Sequence, residues 1–355
     1  MNFERLMSEN VPLAPFTTLG VGGPSRYFAE ITDAPTLTAG VAWAKANSIP
    51  LFILGGGSNV VISDDGFAGL TLLLSIRGIQ TRFEADKVIV TAGAGEEWDA
   101  LVALCVENGW AGVECLSGIP GRVGATPIQN VGAYGQETAD TLISVTAYDR
   151  LAGRNVELSF AECEFGYRAS RFKFRDRERF IITSVTYQLL RDGEPTIRYA
   201  ELQNYLQEHK QSSPDLKDTR EAVLAIRRRK AMVIDAEDMD SRSVGSFFVN
   251  PTITVGEFER VKQHASPQQA PFFPATDGKV KLSAAWLIEQ SGFHRGYVRG
   301  NVGLSSKHAL AIINRGGGTA REVIELAEEI KMGVQKTFGI VLMPEPVLIG
   351  FADQL

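Results

Sequence analysis

The stretch "IPGRVGATPIQNVGAYGQE", residues 119–137, decides how this chain is to be read. It contains Gly121, Gly124, Gly132 and Gly135, two prolines, and no apolar run long enough for a helix or strand. Such a tract buries little hydrophobic area, so the core has little use for it. Two readings stand: a loose loop, or a backbone whose amides are aimed at a ligand. A second glycine loop, "LGGGSNVV" at 54–61, follows the apolar strand run Leu51–Leu54. Gly55, Gly56 and Gly57 permit positive φ and close backbone approach, and Ser58 and Asn59 add side-chain hydrogen bonds. This is either a tight strand-end turn or a nest of amides for a phosphate or pyrophosphate.

Composition narrows the choice of ligand. The 355 residues carry a net charge of −6, which disfavours a general nucleic-acid or anionic-membrane surface. No apolar run approaches the ~20 residues that cross a bilayer, and the opening "MNFERLMSEN" lacks the apolar core of a secretion signal. Cys105, Cys115 and Cys163 are scattered and read as reduced core residues of a cytosolic protein. The four histidines show no HExxH or close pair, so no metal site is expected. A flat, elongated ligand carrying a pyrophosphate suits the two glycine loops taken together. Gln129 and Asn130 each donate and accept, which suits the edge of a heteroaromatic ring. A flavin dinucleotide fits better than a free phosphate. The rival "VTAGAGEEWDA" (90–100) has strand, GxG and helix in order, but Trp98 replaces the third glycine and Glu96 and Glu97 repel a pyrophosphate. It reads as a structural strand–helix turn.

Periodicity predicts helices over 34–47, over "EEWDALVALCVENGW" ending at Asn108–Gly109, over "REAVLAIRRRKA", over "KLSAAWLIEQSG" closed by Gly292, and over 320–339. In the last, Val323, Ile324, Leu326 and Ile330 form the apolar positions. Strands are predicted at 51–54, "GLTLLLSI", "KVIVTAGAG", "SVTAYDR", "NVELSF", "RFIITSVTYQLL", "SFFVNPTI" and "ALAIIN", with a last strand in "IVLMPEPVLIG" interrupted by prolines. The polar segment 192–219 reads as a linker.

Several later motifs have plain structural readings. In "GYRASRFK" and the residues after it, Lys173, Arg175, Arg177 and Arg179 read as a solvated basic edge. Arg227 to Lys230 in "AIRRRKAM" read the same way, or as phosphate ligands. Ser246 in "SVGSFFVNP" has no nucleophile signature around it and reads as a capping or turn serine. Glu345, between Pro344 and Pro346, reads as an edge-strand carboxylate.

"GGGSNVV", "IPGRVGATPIQNVGAYGQE", "GYRASRFK", "GSFFVNP" and "PEPVLIG" occur in that order. Each is weak alone; five at compatible distances are strong. Together they resemble the UDP-N-acetylenolpyruvoylglucosamine reductase (UDP-N-acetylmuramate dehydrogenase) family, from about "FTTLGVGGP" to Gly350. The resemblance implies an α+β fold with a two-lobed FAD-binding unit of the vanillyl-alcohol-oxidase (PCMH) type and a C-terminal α+β substrate-binding domain. The corresponding expectation is a first lobe at 1–78, a second at 79–215 with the glycine-rich loop 118–137, a substrate domain at 216–340, and a strand at 341–355 returning to the FAD-binding unit with the catalytic Glu.

The implied activity is NADPH-dependent, FAD-mediated reduction of UDP-N-acetylglucosamine enolpyruvate to UDP-N-acetylmuramate, by a cytoplasmic monomer of peptidoglycan precursor synthesis. FAD is expected to be non-covalent, since neither glycine loop contains His or Cys. The resemblance assigns catalysis to Arg168 (holding the substrate carboxylate), Ser246 (proton donor) and Glu345. It assigns the cofactor to Gly55, Gly56, Gly57, Ser58, Asn59, Ile119, Pro120, Gly121, Val123, Gly124, Ala125, Gln129, Asn130, Gly132, Ala133 and Tyr134. Substrate contacts fall to Tyr167, Tyr199 (the covering tyrosine), Arg227, Lys230, Asn250 and Gln290. Val249 stands where many relatives carry Lys. The alternatives are another FAD-dependent oxidoreductase on the same scaffold, or a non-catalytic flavin- or nucleotide-sugar-binding protein.

Overall fold

A computed structural model describes residues 3–264, 270–275 and 278–351. The chain forms two units. One comprises residues 1–11, 25–56 and 68–229, the other 12–24, 57–67 and 230–355.

The first unit holds two sheets. In one, the strands run in the order Ser8–Pro12, Pro24–Ile31, Phe67–Leu74, Leu51–Leu54. The last two are parallel, with Leu51 opposite Leu70 and Leu54 opposite Leu73. Leu70, Leu72, Leu73 and Leu74 are all buried, as a strand covered on both faces requires. The helix Ala34–Ala46 begins where Asp33 accepts from the Thr36 amide at 2.7 Å, with proline in its first turn. It buries Leu37, Val41 and Ala44 in a cluster with Leu70 and Leu72.

The second sheet is antiparallel, in the order Arg154–Ser159, Leu142–Asp149, Phe180–Arg191, Lys87–Gly93, Ile79–Glu84. The helix Trp98–Glu107 covers it, with Trp98 buried and its indole donating to Leu116 O at 3.1 Å. All three cysteines are buried and free, and burial pushes the Cys105 and Cys163 thiols up to about 12.

The expected linker at 192–219 is a departure. It contains the helix Ala200–Glu208 and the start of the helix Leu216–Arg229. Leu202 and Leu206, four apart, pack with Cys115, Ala222, Val223 and Ile226. Tertiary packing overrides the polar composition, and the first unit therefore runs on to Arg229, past the 215/216 boundary read from sequence.

The second unit is built around the helix Ala320–Phe338. Thr319 and Glu322 form a reciprocal capping box at its start, and Gly339 at φ +70° ends it. Val323, Leu326, Ile330 and Val334 are fully buried, whereas Ile324 packs at the margin of that cluster. Asp64 accepts from the Ala320 and Arg321 amides at 2.8 and 2.9 Å, which ties segment 57–67 to the first turn of this helix. Val347–Ile349 pairs in parallel with Val60–Ile62. The C-terminal strand thus joins 57–67, as expected of a returning strand, but within this second unit; residues 352–355 lie outside those described. "SFFVNPTI" is regular strand only at Thr252–Ile253. Elsewhere it is irregular, joined to residues 343–345 by a bridge from Phe248 to Pro344 and by backbone bonds at Phe247 and Val249. Proline lacks the N–H that a continuous ladder needs.

Asp149 is buried at the end of its strand. The Arg179 guanidinium, donating at 2.7 Å, and the Ala152 and Leu151 amides hold its carboxyl at about 2. A depressed carboxylate pKa contributes stability above its unfolded value, and that contribution fades as pH falls toward 2. Asp149→Asn is expected to lower Tm by several degrees at pH 7, and the gap to wild type should close as the pH approaches 2. A gap independent of pH in a thermal-melt series would contradict this.

Candidate active site

The 119–137 tract is not a loose loop. It contains a 3-10 turn at Val123–Ala125, one helical turn at Thr126–Gln129, and a two-residue hairpin pairing Gly132–Ala133 with Gln136–Glu137. Its start is stitched to the turn before the helix at 98: Val123 N donates to Glu96 O at 2.9 Å and Gly124 N to Ala94 O at 3.0 Å. A β-carbon on Gly124 would meet Ala94 Cβ at 2.6 Å. The "AGAGEEW" segment thus acts as a floor for the tract. Its own glycines pass close over residues 75–77, where added β-carbons at Gly93 and Gly95 would meet backbone at 2.4 and 2.5 Å.

Gly56 makes the contact between the two glycine loops. A β-carbon there would lie 2.6 Å from Gly121 Cα, so the backbones of the two glycine loops touch. At the adjacent Gly55 a β-carbon would meet nothing within 4 Å. The wall is closed between the loops and open beside Gly55, which fits an elongated dinucleotide laid along bare backbone. Ile119, Pro120 and Ala133 flank this wall, half-buried. In the second unit, Gly57 at φ +64° would collide with Phe16 O at 1.9 Å if it carried a side chain. Thr18 N donates to Gly57 O at 3.2 Å, Asn59 Nδ2 to Glu345 O at 3.4 Å, and Val347 N to Asn59 O at 3.0 Å. Asn59, with Ser58 before it, therefore sits on the Glu345 segment.

The first unit brings several expected site residues together. Arg168 occupies a left-handed backbone position (φ +52°) in a tight turn closed by reciprocal bonds between Gly166 and Ala169 at 3.0 Å. Such a conformation costs a non-glycine residue about 1–2 kcal/mol, and strain of this kind concentrates at functional positions. The turn directs the guanidinium onto the hairpin: Nη2 donates to Gly132 O at 2.7 Å. Tyr167 lies under the guanidinium carbon, 6.0 Å from it to the ring centroid. Tyr134 and Tyr199 meet edge-to-face at 5.6 Å, and Tyr199 begins the helix Ala200–Glu208. Burial pushes the Tyr134 phenol up to about 12 and raises Tyr199 as well. Arg227, in the last turn of Leu216–Arg229, donates to Gly118 O at 3.2 Å, and burial lowers its pKa. It is part of the tract's surroundings, unlike the exposed Arg228 and Arg229 beside it.

In the second unit Ser246 and Glu345 lie on neighbouring extended segments. Glu345 N donates to Phe247 O at 2.9 Å and Val249 N to Met343 O at 3.0 Å. Lys230 follows the helix Leu216–Arg229 and is half-buried, and Gln290 is exposed at the end of the helix Ala284–Gln290.

Two readings change, those of Asn130 and Lys173, and Asn250 is partly engaged. Asn130 is 1% exposed and its side chain is committed inside the protein: Nδ2 to Glu137 Oε2 (2.7 Å) and Gly166 O (3.0 Å), Oδ1 from the Ala139 amide (3.0 Å). Its backbone is engaged as well: its N–H donates to Thr126 O and its carbonyl accepts from Arg168 Nη1 at 3.4 Å, so Asn130 braces the tract from inside. Asn250, read as a substrate contact, has its Oδ1 accepting at 2.9 Å from Ala284 N, the first amide of the helix Ala284–Gln290. Lys173 is not solvated: its ammonium bonds Gln129 Oε1 at 2.9 Å and Arg168 O at 3.1 Å. Arg171 likewise pairs with Asp176 at 2.6 Å and is largely covered. A charge run in sequence gave no signal of these partners, which lie 44 residues away in the case of Gln129.

A family model described as UDP-N-acetylenolpyruvoylglucosamine reductase, C-terminal domain, matches residues 237–349, and one described as FAD binding domain matches 25–159. The UDP-N-acetylenolpyruvoylglucosamine reductase of Thermobifida fusca is 49% identical over 350 residues, covering 97% of this chain and 98% of the relative. The chain belongs to the UDP-N-acetylenolpyruvoylglucosamine reductase family. The UDP-N-acetylenolpyruvoylglucosamine reductase of Streptomyces coelicolor is 46% identical, covering 97% and 90%. The crystal structure of the UDP-N-acetylenolpyruvylglucosamine reductase of Thermus caldophilus shares the fold at a TM-score of 0.66 and 24% identity, covering 97% of this chain and 99% of that one. As a UDP-N-acetylenolpyruvoylglucosamine reductase family member, the chain is an FAD-dependent oxidoreductase of α+β fold, with an FAD-binding unit and the family's C-terminal domain.

Gly56→Ala forces the two glycine loops apart. The purified variant is expected to retain the wild-type far-ultraviolet circular dichroism while its flavin-to-protein ratio, measured after acid release, falls severalfold. A full complement of flavin would show that this contact does not shape the cofactor wall.

Proposed function

We infer that this protein reduces UDP-N-acetylglucosamine enolpyruvate to UDP-N-acetylmuramate with NADPH, a step in peptidoglycan precursor synthesis. The observation that carries the reading is 49% identity, over nearly the whole of both chains, to the UDP-N-acetylenolpyruvoylglucosamine reductase of Thermobifida fusca. Non-covalently bound FAD supplies the hydride carrier between NADPH and the terminal methylene carbon of the enolpyruvyl group. The protein acts as a cytoplasmic monomer; among the described residues no helix is long and apolar enough to cross a membrane. Elution from a sizing column well above its mass of 38.7 kDa would count against the monomer.

The chain's own groups do the rest. Hydride addition at the methylene carbon leaves negative charge on the carboxylate-bearing carbon, delocalised into that carboxylate. Arg168 offers a planar fork for the carboxylate while Nη2 stays anchored on Gly132 O. Glu345, stiffened by Pro344 and Pro346, polarises the same group. Such preorganised electrostatic partners are worth about 3–4 kcal/mol each in a transition state. Ser246 Oγ gives its proton to the carboxylate-bearing carbon and completes the reduction. Tyr199 lies over the substrate with Tyr134 behind it, and Arg227 and Lys230 take phosphate charge; Tyr167, Asn250 and Gln290 complete the substrate contacts.

Anaerobic stopped-flow absorbance tests the reading: NADPH bleaches the flavin, and the UDP-enolpyruvyl sugar restores its colour. Bleaching without recovery would point to a different substrate. Ser246→Ala is expected to leave bleaching by NADPH near wild type and to slow recovery by roughly 10²–10⁴. Equal losses in both halves would reject the proton-donor role.

A further inference from the structure

Ser246 has a partner that no motif announces. Its Oγ lies 3.4 Å from Nε2 of His308, within the second unit and 62 residues further along the chain. The two groups are held there by backbone, not by chance contact of long side chains. Phe247 N, the amide next to Ser246, donates to Leu310 O at 2.8 Å, and Ser243 bridges to Ile313. Ser246 and His308 therefore ride on neighbouring, directly bonded segments.

The loop that carries His308 is also fixed from its other side. Ser305 Oγ accepts from the Lys307 and His308 amides at 3.1 and 3.2 Å. Asp240 gathers Ser305 Oγ (3.2 Å), the Ser306 amide (2.9 Å) and Ser306 Oγ (2.6 Å), and Lys307 pairs with Asp238 at 2.7 Å. His308 is half-buried, at the margin between the Ser246 segment and solvent. Among the described residues, further charged or titratable groups on elements packed against this loop include Asp235, which acts on Lys307, Arg242, whose carbonyl accepts from Asn314 N at 3.0 Å, His294 and Arg295, which precede Gly296 (bonded to Ser305 O at 3.1 Å), and Glu345 on the segment bonded to Phe247.

We propose that His308 is the positioning and proton-supplying residue for Ser246, and so part of a relay from solvent to the substrate carbon. The inference rests on the proton-donor role read for Ser246 above. A serine hydroxyl is a poor acid, and giving up its proton leaves an alkoxide unless a second donor replaces that proton as it leaves. The balance is simple. The Ser246 Oγ–H bond breaks as the carbon–hydrogen bond forms. The His308 imidazolium Nε2–H bond breaks as Oγ is reprotonated. Neutral His308 then takes a proton from water, which supplies the one proton that the overall reduction consumes. Imidazole is the side chain that both gives and regains a proton near neutral pH. In the resting state it also holds the hydroxyl in one rotamer.

The test uses the FAD-loaded protein. In wild type, recovery of flavin colour by the UDP-enolpyruvyl sugar should slow as pH rises through the imidazole range near about 6.5. His308→Gln should slow recovery at least about tenfold, abolish that pH dependence, and leave reduction by NADPH unchanged. The double variant with Ser246→Ala should be no slower than Ser246→Ala alone, because the two residues act as one unit. Histidine NMR titration gives a readout independent of turnover and of how the His308 variant folds: Ser246→Ala should shift the His308 imidazole titration. An unchanged rate and pH profile in His308→Gln, additive losses in the double variant, or an imidazole titration blind to Ser246→Ala would each overturn the relay. Should Ser246→Ala itself recover at the wild-type rate, the proton-donor reading falls and the relay with it; slow Ser246→Ala beside unaffected His308→Gln removes the relay alone.

Discussion

Two backbones touch at Gly56 and Gly121, and the rest of the first unit's site is arranged around that contact. A side chain at Gly56 would hold the 119–137 tract away, since its β-carbon would lie 2.6 Å from Gly121 Cα. With none, the 119–137 tract lies against the end of the Leu51–Leu54 strand and exposes peptide groups where most folds would expose side chains. Exposed peptide groups suit a ligand rich in oxygen and ring-edge acceptors. The bare backbone that looked wasteful in the sequence is thus the reason the tract is built from small residues.

Rigidity of the tract then comes from buried side chains that face inward. Asn130 and Glu137 cross-link its two arms, and Gln136 reaches the Cys115 amide at 2.8 Å and Glu114 at 2.7 Å. Arg168 draws on the same framework. Its turn is strained, its guanidinium is bonded to Gly132, and Lys173 bonds its carbonyl. An arginine so constrained has lost most of its rotamer freedom before any carboxylate arrives, which is how a flexible side chain becomes a preorganised one. In the second unit the equivalent economy is in backbone pairing: the segments at Phe247, Leu310 and Glu345 are bonded through Phe247, and Ser246 lies 3.4 Å from His308.

Much of this was legible in the sequence because it is local. Two helix ends announced themselves through Gly109 and Gly292, and the apolar run at Leu51–Leu54 is the strand it resembles. The family was legible through five motifs in order. What escaped was non-local. The helix Ala200–Glu208 looked like a linker because its apolar side, Leu202 and Leu206, is narrow and gains meaning only against Val223 and Ile226. Lys173 looked solvated because its partners, Gln129 and the Arg168 carbonyl, are chosen by the fold. Asn130 looked like a contact for a ring edge, since sequence shows that an amide can bond but not that a neighbour already holds it. His308 carried no motif at all and became visible only through its distance to Ser246.

The central claim is that small-residue backbone in the first unit forms the wall against which flavin binds. A crystal structure of the FAD-loaded protein measures this directly. The account predicts the isoalloxazine edge within hydrogen-bonding distance of peptide groups between residues 119 and 134, with Gly55 and Gly56 beside the dinucleotide. Flavin bound elsewhere, or bound here chiefly through side chains with the glycine loops apart, would contradict it.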